Sequence, residues 1–250
     1  MADAPKNRTA VITGAGSGIG QATAVTLAGM GFRVAIVGRD PGKLEATRAL
    51  INREDTLVES CDVADRASVD AMSSRVLQAN GGVVEVLVSN AGVNVRRPID
   101  RLEEAEWDHV LHTNLKGPWL CCRAVAAPMK ERRWGRVINL SSIMGEVSLP
   151  ERTLYASSKG GLTMLTKTLA LEWAPFGINV NALCPGPFAT EMNLPLLNDP
   201  KAREAFSARV PLNRWADPVE LGPAAVFLAS EASSFVTGTC LYIDGGYTAQ

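Results

Sequence analysis

Short runs of β-branched and apolar residues alternate along the chain with longer stretches in which apolar residues recur at helical spacing. The short runs predict seven strands, at residues 9–13, 33–37, 56–61, 84–89, 136–140, 178–183 and 240–243. The longer stretches predict helices at residues 19–30, 41–52, 66–80, 103–130 and 155–174, the fourth interrupted near Gly117 and Pro118. Such alternation is typical of a parallel sheet with helices on both faces. We therefore expect a doubly wound α/β fold.

Residues 185–212 break this regular pattern, because they contain five prolines and several apolar residues without helical or strand spacing. We expect the part from about residue 187 to residue 212 to form a lid over a substrate. No repeat, low-complexity tract or shift in composition divides the rest of the chain. The sequence therefore predicts a single domain over residues 1–250.

Composition excludes several classes of protein. The 250 residues include 25 basic and 26 acidic side chains, so no net field favours nucleic acid or a membrane surface. No apolar run reaches the roughly 18 residues of a membrane-spanning helix. Residues 1–7 are polar and lack the apolar core of a signal peptide, which favours a cytoplasmic location. The five cysteines show no CxxC spacing, so we expect reduced thiols and no metal site. The expected partner is a small-molecule substrate.

A glycine-rich turn follows the first predicted strand and leads directly into a helix. Its glycines have the spacing TGxxxGxG, with Ser17 and Ile19 between Gly14, Gly18 and Gly20. Glycines let the backbone approach a ligand closely, and the unpaired amides at a helix start attract a pyrophosphate. In a strand-turn-helix context this pattern predicts a dinucleotide site.

The end of the second strand bears on the choice of dinucleotide. A carboxylate there binds the adenosine ribose hydroxyls, whereas a guanidinium pairs with a 2′-phosphate. Arg39 occupies this position, and Asp40 stands directly before Pro41, where it is expected to cap the next helix. The sequence thus favours NADP(H) over NAD(H), and dual use stays open.

A tyrosine and a lysine lie four residues apart at the start of the fifth predicted helix. Tyr155 and Lys159 therefore share one helix face, about one turn apart. A phenol has a pKa of about 10, and an adjacent ammonium lowers it toward neutrality. Ser142, at the end of a predicted buried strand, brings a hydroxyl to the carboxyl edge of the sheet, where open α/β folds bind ligands.

Taken together, these motifs resemble the short-chain dehydrogenase/reductase family over essentially the whole chain. The cofactor turn, the YxxxK pair, and a serine 13 residues before the tyrosine agree with it in order and spacing. The resemblance also covers these residues: Asp62, Val63, Asn90, Ala91, Gly92, Asn114, Pro185, Gly186 and Thr190. The implied fold is Rossmann-type, and the implied assembly is a homotetramer with residues 237–246 as a contact segment.

The resemblance implies hydride transfer between nicotinamide and a carbonyl or carbinol carbon. Tyr155 then exchanges the proton on oxygen, and Ser142 orients and polarises the carbonyl. Lys159 holds the nicotinamide ribose and lowers the pKa of Tyr155, while Asn114 helps to hold a water that connects Lys159 to solvent. Thr190 contacts the nicotinamide carboxamide, and Asn90 is a scaffold residue that bonds neighbouring strands.

The substrate pocket is expected to be mainly apolar and to accept many ketones. Its expected residues are Val93, Val95, Arg96, Met144, Val147, Phe188 and Met192, of which Phe188 also faces the cofactor. Arg96 and Arg97 either receive an acidic or polyhydroxylated substrate or form a solvated loop pair.

Three functions stay open. Arg132, Arg133 and Arg136 resemble part of the carrier-docking surface of 3-oxoacyl-carrier-protein reductases, which favours a carbonyl or 3-oxoacyl reductase. The loop at residues 90–98 is closer to the sugar-acid and gluconate 5-dehydrogenase branch. The third function is a non-catalytic NADP(H)-binding protein that has kept the fold without turnover.

Overall fold

The computed structural model describes residues 8–250, so the prediction made for residues 1–7 lies outside the described part. One parallel sheet of seven strands forms its centre, in the order β3-β2-β1-β4-β5-β6-β7. The strands are β1 Thr9–Thr13, β2 Arg33–Gly38, β3 Leu57–Ser60, β4 Val86–Ser89, β5 Gly135–Leu140, β6 Ile178–Pro185 and β7 Cys240–Ile243. This architecture confirms the predicted doubly wound α/β fold.

Nine α-helices are found within residues 8–250. They are α1 Gly18–Gly29, α2 Pro41–Ile51, α3 Arg66–Ala79, α4 Glu104–Leu111, α5 Gly117–Arg132, α6 Thr153–Trp173, α7 Leu194–Leu197, α8 Pro200–Ser207 and α9 Gly222–Ala229. The predicted helix at 103–130 is interrupted earlier than expected, by a π-helical turn at His112–Lys116. Gly117 and Pro118 instead begin α5, and Pro118 stands in its first turn.

The segment predicted to be irregular contains two short helices, α7 and α8. Its prolines do not prevent them, because Pro195 and Pro200 stand in the first turns, where the missing amide has no helical partner. Asp199 caps α8 through its carboxylate, which accepts from the amides of Lys201 and Ala202. A proline-rich stretch is therefore compatible with helices when each proline lies at a helix start.

The central strands of the sheet are buried on both faces. Every residue of β1 is buried, and its alternate side chains enter two separate apolar layers. Ala10 and Ile12 pack with Leu27 of α1 in one layer, whereas Val11 packs with Val76 of α3 in the other. This two-sided burial explains the nearly continuous apolar runs of the strands and leaves their carboxyl ends free to carry polar groups.

The structure corrects the proposed docking role of Arg136. Its side chain is buried, donates to Asn179 Oδ1 at 3.0 Å, and lies 3.3 Å from the Glu231 carboxylate. It also stacks over Trp134, with 4.4 Å between the guanidinium carbon and the ring centroid. Arg136 is thus a packing residue at the amino end of β5, away from the carboxyl edge of the sheet.

Across the described chain, no cluster of His, Cys, Asp and Glu has the arrangement of a metal site. The five cysteines are all free, and His109 and His112 are exposed. None of the helices in residues 8–250 has the length and apolar character required to cross a bilayer.

Candidate active site

A cavity of about 480 Å³ runs along the carboxyl ends of the central strands. Strand order reverses between β1 and β4, and in open α/β sheets ligands bind in the crevice at that point. The cavity is lined by the following predicted site residues: Gly14, Ser17, Gly18, Ile19, Gly20, Arg39, Asp62, Val63, Asn90, Ala91, Gly92, Val93, Ser142, Tyr155, Lys159, Pro185, Gly186, Phe188, Thr190 and Met192. Residues far apart in the sequence thus meet around one space.

Gly14 and Gly20 of the glycine turn have no room for a side chain. Gly14 has a φ of +65°, and a Cβ on Gly20 would lie 2.2 Å from the Gly14 carbonyl oxygen and 2.3 Å from Asn90 Nδ2. Asn90 donates to the carbonyls of Thr13 and Gly14 at 3.0 and 3.1 Å, and thereby ties the end of β4 to the end of β1. This side-chain amide therefore fixes the conformation of the turn.

The helix that follows presents free amides to the cavity. Ser17 occupies the cap position of α1 in extended conformation, and its side chain makes no capping hydrogen bond. The first amides of a helix carry a partial positive charge and bind anions such as a pyrophosphate. The turn and the uncapped helix start therefore fit the phosphates of a dinucleotide.

Arg39 and Asp40 have separate environments. Asp40 Oδ1 accepts from the amides of Gly42 and Lys43 at 2.9 and 3.2 Å, as expected of a helix cap. Arg39 is exposed beside the cavity, and it takes part in none of the ion pairs found within residues 8–250. Its guanidinium is therefore available to a ligand.

Tyr155 and Lys159 meet on one face of α6. Lys159 Nζ lies 5.6 Å from the centroid of the Tyr155 ring and donates to the Leu140 carbonyl at 2.5 Å. Lys159 is buried, and this burial lowers its pKa to about 8. The hydrogen bond to Leu140 holds the Lys159 ammonium at the end of β5, between this strand and α6.

The expected lowering of the Tyr155 pKa by Lys159 is not what the structure shows. Burial raises the pKa of Tyr155, because a phenolate loses hydration in an apolar surrounding. A hydrogen bond from Ser142, followed by the charges of Arg96 and Arg152, acts in the opposite direction. Two arginines thus provide the positive field that the sequence assigned to Lys159, and Arg152 was not identified from the sequence.

Ser142 and Ser141 differ in role despite their adjacency. Ser142 Oγ lines the cavity and accepts from the Met144 amide at 3.1 Å, which fixes the hydroxyl at the end of β5. Ser141 Oγ instead turns toward α6, where it bonds the Lys159 carbonyl and Thr163, each at 3.1 Å. Ser142 is therefore the hydroxyl that faces Tyr155.

Asn114 lies in the π-helical turn between α4 and α5. Its amide nitrogen donates to the Val93 carbonyl at 2.9 Å and to Ser158 Oγ at 3.1 Å, and its oxygen accepts from the Val93 amide at 2.8 Å. A Cβ on Gly92 would lie 3.4 Å from Asn114 Oδ1 and 3.8 Å from Lys159 Nζ. Asn114 therefore joins the loop after β4 to α6 directly behind the cavity.

A smaller cavity of about 70 Å³ adjoins the first, and five residues line both: Ser142, Tyr155, Gly186, Met192 and Asn193. Arg96 and Met144 line this smaller space, together with Arg152. The remaining two predicted pocket residues, Val95 and Val147, line neither cavity.

The neighbouring arginines of the loop point to different partners. Arg97 is exposed and pairs with Glu106 at 3.2 Å, so it belongs to the solvated surface. Arg96 is half-buried and donates to Asn193 Oδ1 at 2.7 Å. Arg97 is therefore a solvated loop residue, whereas Arg96 faces the smaller cavity.

The sequence also missed Lys43 and Glu191, which line the larger cavity from α2 and from the segment after β6. Their charged groups lie 2.6 Å apart. Lys43 could have been noticed as the third residue after the Asp40 cap. Nothing in the sequence indicates that it meets Glu191.

Comparisons with known proteins agree with this geometry. The sequence model of the family described as "Enoyl-(Acyl carrier protein) reductase" matches residues 14–248. Cis-4-hydroxycyclohexanecarboxylate dehydrogenase of Sinomonas cyclohexanicum is 40% identical over 251 residues, which cover 100% of both chains. Gluconate 5-dehydrogenase of Gluconobacter oxydans (strain 621H) is 35% identical over 242 residues, 96% of this chain and 94% of the relative.

A solved structure has the same fold. The crystal structure of a gluconate 5-dehydrogenase from Burkholderia cenocepacia J2315, in complex with NADP and tartrate, is similar with a TM-score of 0.92 and 38% identity. The match covers 97% of this chain and 96% of that one.

Proposed function

Because the chain belongs to the short-chain dehydrogenase/reductase family, we propose that it is an NADP(H)-dependent oxidoreductase that interconverts a ketone and a secondary alcohol. The observation that carries the proposal is the position of Tyr155 and Ser142, whose side chains line both the larger cavity and the smaller one. A carbonyl oxygen between them faces the cofactor cavity on one side and a separate substrate space on the other.

The residues present fit a nicotinamide dinucleotide. The glycine turn and the uncapped start of α1 would receive the pyrophosphate, and Asp62 and Val63, which line the same cavity, would contact the adenine. Arg39, which is exposed beside the cavity, would pair with a 2′-phosphate, and this favours NADP(H) over NAD(H). When bound, the cofactor supplies or accepts a hydride at the nicotinamide ring.

Tyr155 carries the proton of the reaction. In reduction its hydroxyl donates a proton to the oxygen of the former carbonyl, and in oxidation its phenolate takes that proton back. Ser142 donates a hydrogen bond to the same oxygen and so orients it. The positive charges of Arg96 and Arg152 oppose the effect of burial and favour the phenolate.

Lys159 and Asn114 have supporting roles, in cofactor binding and in a proton path. The Lys159 ammonium, held by the Leu140 carbonyl, is placed to bind the nicotinamide ribose. Asn114 holds the Val93 loop against α6 beside Lys159, and this supports its proposed part in a proton path to solvent. Thr190 lines the cavity, and its Cγ2 would lie 3.3 Å from a Cβ on Gly18, which supports its proposed contact with the cofactor.

Residues 187–212 act as the lid. Two polar contacts support this role, because both join the segment to the opposite walls of the site. Glu191 pairs with Lys43 of α2, and Asn193 accepts from Arg96 of the loop after β4. Both contacts are lost when the segment opens.

Two substrate classes stay open at this level. A general carbonyl or 3-oxoacyl reductase is compatible with the family, although the burial of Arg136 removes one residue from the carrier-docking surface. The alternative, a sugar-acid dehydrogenase, is favoured by relatives such as the 5-keto-D-gluconate 5-reductase of Escherichia coli (strain K12), 37% identical over 242 residues. NADPH oxidation with acetoacetyl thioesters, simple ketones and 5-keto-D-gluconate distinguishes the two classes.

The role of Tyr155 is tested by Tyr155→Phe. We expect turnover to fall by about 100- to 10 000-fold with unchanged NADPH binding, because only the proton donor is removed. Tyr247→Phe makes the same chemical change outside both cavities and keeps its activity. Substantial turnover by Tyr155→Phe contradicts the proton-transfer role, and tight NADPH binding without turnover on any ketone favours the non-catalytic alternative.

The proposed assembly is a homotetramer. Exposed apolar side chains support it, since Met164 and Leu171 stand seven residues apart on α6 and Trp119 lies on α5. Sedimentation that gives the mass of one chain contradicts this proposal. The cytoplasmic location stays a prediction.

A further inference from the structure

Two arginines reach the smaller cavity from different parts of the chain. Arg96 comes from the loop after β4, and Arg152 precedes the first residue of α6. The residues that line this cavity include no aspartate or glutamate. Two positive charges therefore share one small space beside Tyr155 without an acidic residue in its wall.

Neither arginine of the smaller cavity forms an ion pair with an acidic side chain of residues 8–250. Within residues 8–250, the ion pairs up to 4.0 Å include Arg97 with Glu106 but involve neither Arg96 nor Arg152. Arg136, whose side chain is buried more deeply than either, has the Glu231 carboxylate at 3.3 Å. A buried guanidinium normally has such a partner, because its loss of hydration is otherwise uncompensated.

Hydrogen-bond donors on both guanidinium groups are left over. Arg96 donates once, from Nη2 to Asn193, and its Nε is buried with no partner in the protein. Arg152 is 9% exposed and makes one contact, from Nη1 to the Glu151 carbonyl at 3.3 Å. Two planar groups with unused donors are suited to a carboxylate, which accepts several such bonds at once.

The charges of the two groups also work against each other. Burial lowers the pKa of both guanidiniums, and for Arg152 the charge of Arg96 lowers it further, while the charge of Glu151, outside the cavity wall, acts in the opposite direction. An arginine nevertheless stays protonated at neutral pH. An anion placed between them relieves the repulsion and restores a counter-charge.

The remaining wall of the cavity limits the size and character of the ligand. Ile143, Met144, Leu196 and Phe206 contribute mostly apolar surface. Asn94 adds a buried amide oxygen that has no partner in the protein. A space of about 70 Å³ with this lining takes a short acidic group on a compact carbon skeleton rather than a long acyl chain.

We propose that Arg96 and Arg152 bind the carboxylate of the substrate, so that the enzyme acts on keto acids and the corresponding hydroxy acids. The inference rests on the proposed function, since Ser142 and Tyr155 must hold the reacting oxygen while the two arginines hold the acid. It assigns Arg152, which precedes the YxxxK pair by three residues, as a specificity-determining residue. Neutral ketones lack a carboxylate and therefore leave both guanidinium charges without a counter-charge.

Matched pairs of acidic and neutral ketones test the proposal on the unmodified protein. One pair is 4-oxocyclohexanecarboxylate and its methyl ester, and a second is 5-keto-D-gluconate and L-sorbose, which differ at the carboxylate. We expect kcat/KM for NADPH-dependent reduction to favour the acid by about tenfold to 100-fold in at least one pair. Equal values in both pairs overturn the inference.

Variants of the two arginines test whether these residues cause the preference for acidic ketones. Arg96→Gln and Arg152→Gln are expected each to reduce the ratio of acid to neutral kcat/KM by at least about tenfold, mainly through KM for the acid. Arg97→Gln is the matched control, since it removes a neighbouring arginine that pairs with Glu106 on the surface. Unchanged ratios in both cavity variants overturn the inference.

Three further measurements distinguish failure of this inference from failure of the proposed function. Arg152→Lys retains the charge and is expected to recover part of the ratio, and thermal unfolding with NADPH titration shows whether each variant is folded. In the unmodified enzyme, cyclohexanecarboxylate should inhibit reduction of a neutral ketone competitively, and cyclohexanecarboxamide should not. Reduction of neutral ketones without any preference for acids defeats this inference alone, whereas no reduction of any ketone defeats the proposed function itself.

Discussion

Lys43 and Glu191 form an ion pair of 2.6 Å between the first turn of α2 and the segment that follows β6. Both side chains line the larger cavity, and both are about half exposed. The pair raises the pKa of Lys43 and lowers that of Glu191, whose carboxylate also interacts with the Ser17 hydroxyl. A negative charge therefore lies against the turn that is proposed to receive the phosphates of the cofactor.

Removal of this charge should improve cofactor binding. In Glu191→Gln, Lys43 is released to the phosphates and a repulsive carboxylate is lost, so we expect a two- to fivefold lower Kd for NADPH at low ionic strength, roughly the range of an exposed ion pair. Fluorescence titration measures the change, which should shrink as salt is added. Glu45→Gln, which breaks the exposed pair of Glu45 with Arg48, is the control. Weaker NADPH binding by Glu191→Gln would show that the ion pair supports the bound state.

Arg39 is expected to set the preference for NADP(H). Arg39→Leu should raise the Kd for NADPH by about tenfold to 100-fold, the value of a charge-assisted bond to phosphate, and leave the Kd for NADH nearly unchanged. Arg48→Leu, which removes an exposed arginine of α2, should change neither. Equal effects of Arg39→Leu on the two cofactors would refute the proposed contact with the 2′-phosphate.

Asn114 should contribute strongly to stability as well as to activity. Asn114→Ala removes three hydrogen bonds and leaves the Val93 amide and carbonyl without their partner, so the free energy of unfolding should fall by about 2 to 4 kcal/mol. Denaturant unfolding measures this loss. Asn198→Ala, at an exposed position of the lid, should change the free energy of unfolding by less than about 0.5 kcal/mol. A similarly small change in Asn114→Ala would mean that its bonds are replaced by water.

Lys159 should give the cofactor-free protein a distinct pH dependence. Its pKa is about 8 in the folded protein, below the ordinary value of 10.5, so between these values the unfolded chain binds a proton that the folded protein has released. This group therefore makes wild-type stability rise with pH across that window and contributes a constant cost below pH 8. The free energy of unfolding of Lys159→Met, relative to wild type, should fall by about 3 kcal/mol from pH 8 to 10.5.

Denaturant unfolding at several pH values tests this slope. Lys167→Met removes an exposed lysine from the same helix and should follow the wild-type curve. A difference between Lys159→Met and wild type that does not vary with pH would show that Lys159 keeps its proton throughout the window.

Strands and motifs were predictable where local sequence carries the signal. β1 and β7 have the predicted boundaries, whereas β4 begins at Val86 rather than at residue 84. Apolar continuity indicates that a strand is buried, but the first ladder hydrogen bond depends on the neighbouring strand. The π-helical turn around Asn114 gave no such signal, because its extra residue is stabilised by contacts with Val93 and Ser158.

The linear order of residues was enough to place the glycine turn, Tyr155 and Lys159, since each of these features depends on neighbours within one or two helical turns. Tertiary structure alone decided which charges meet. Arg152 joins Arg96 from a segment 56 positions away, and Glu191 reaches Lys43 across 148 positions. Electrostatic energy depends on distance in space and on burial, and neither quantity can be read from a side chain's position in the chain before the sheet has brought the loops together.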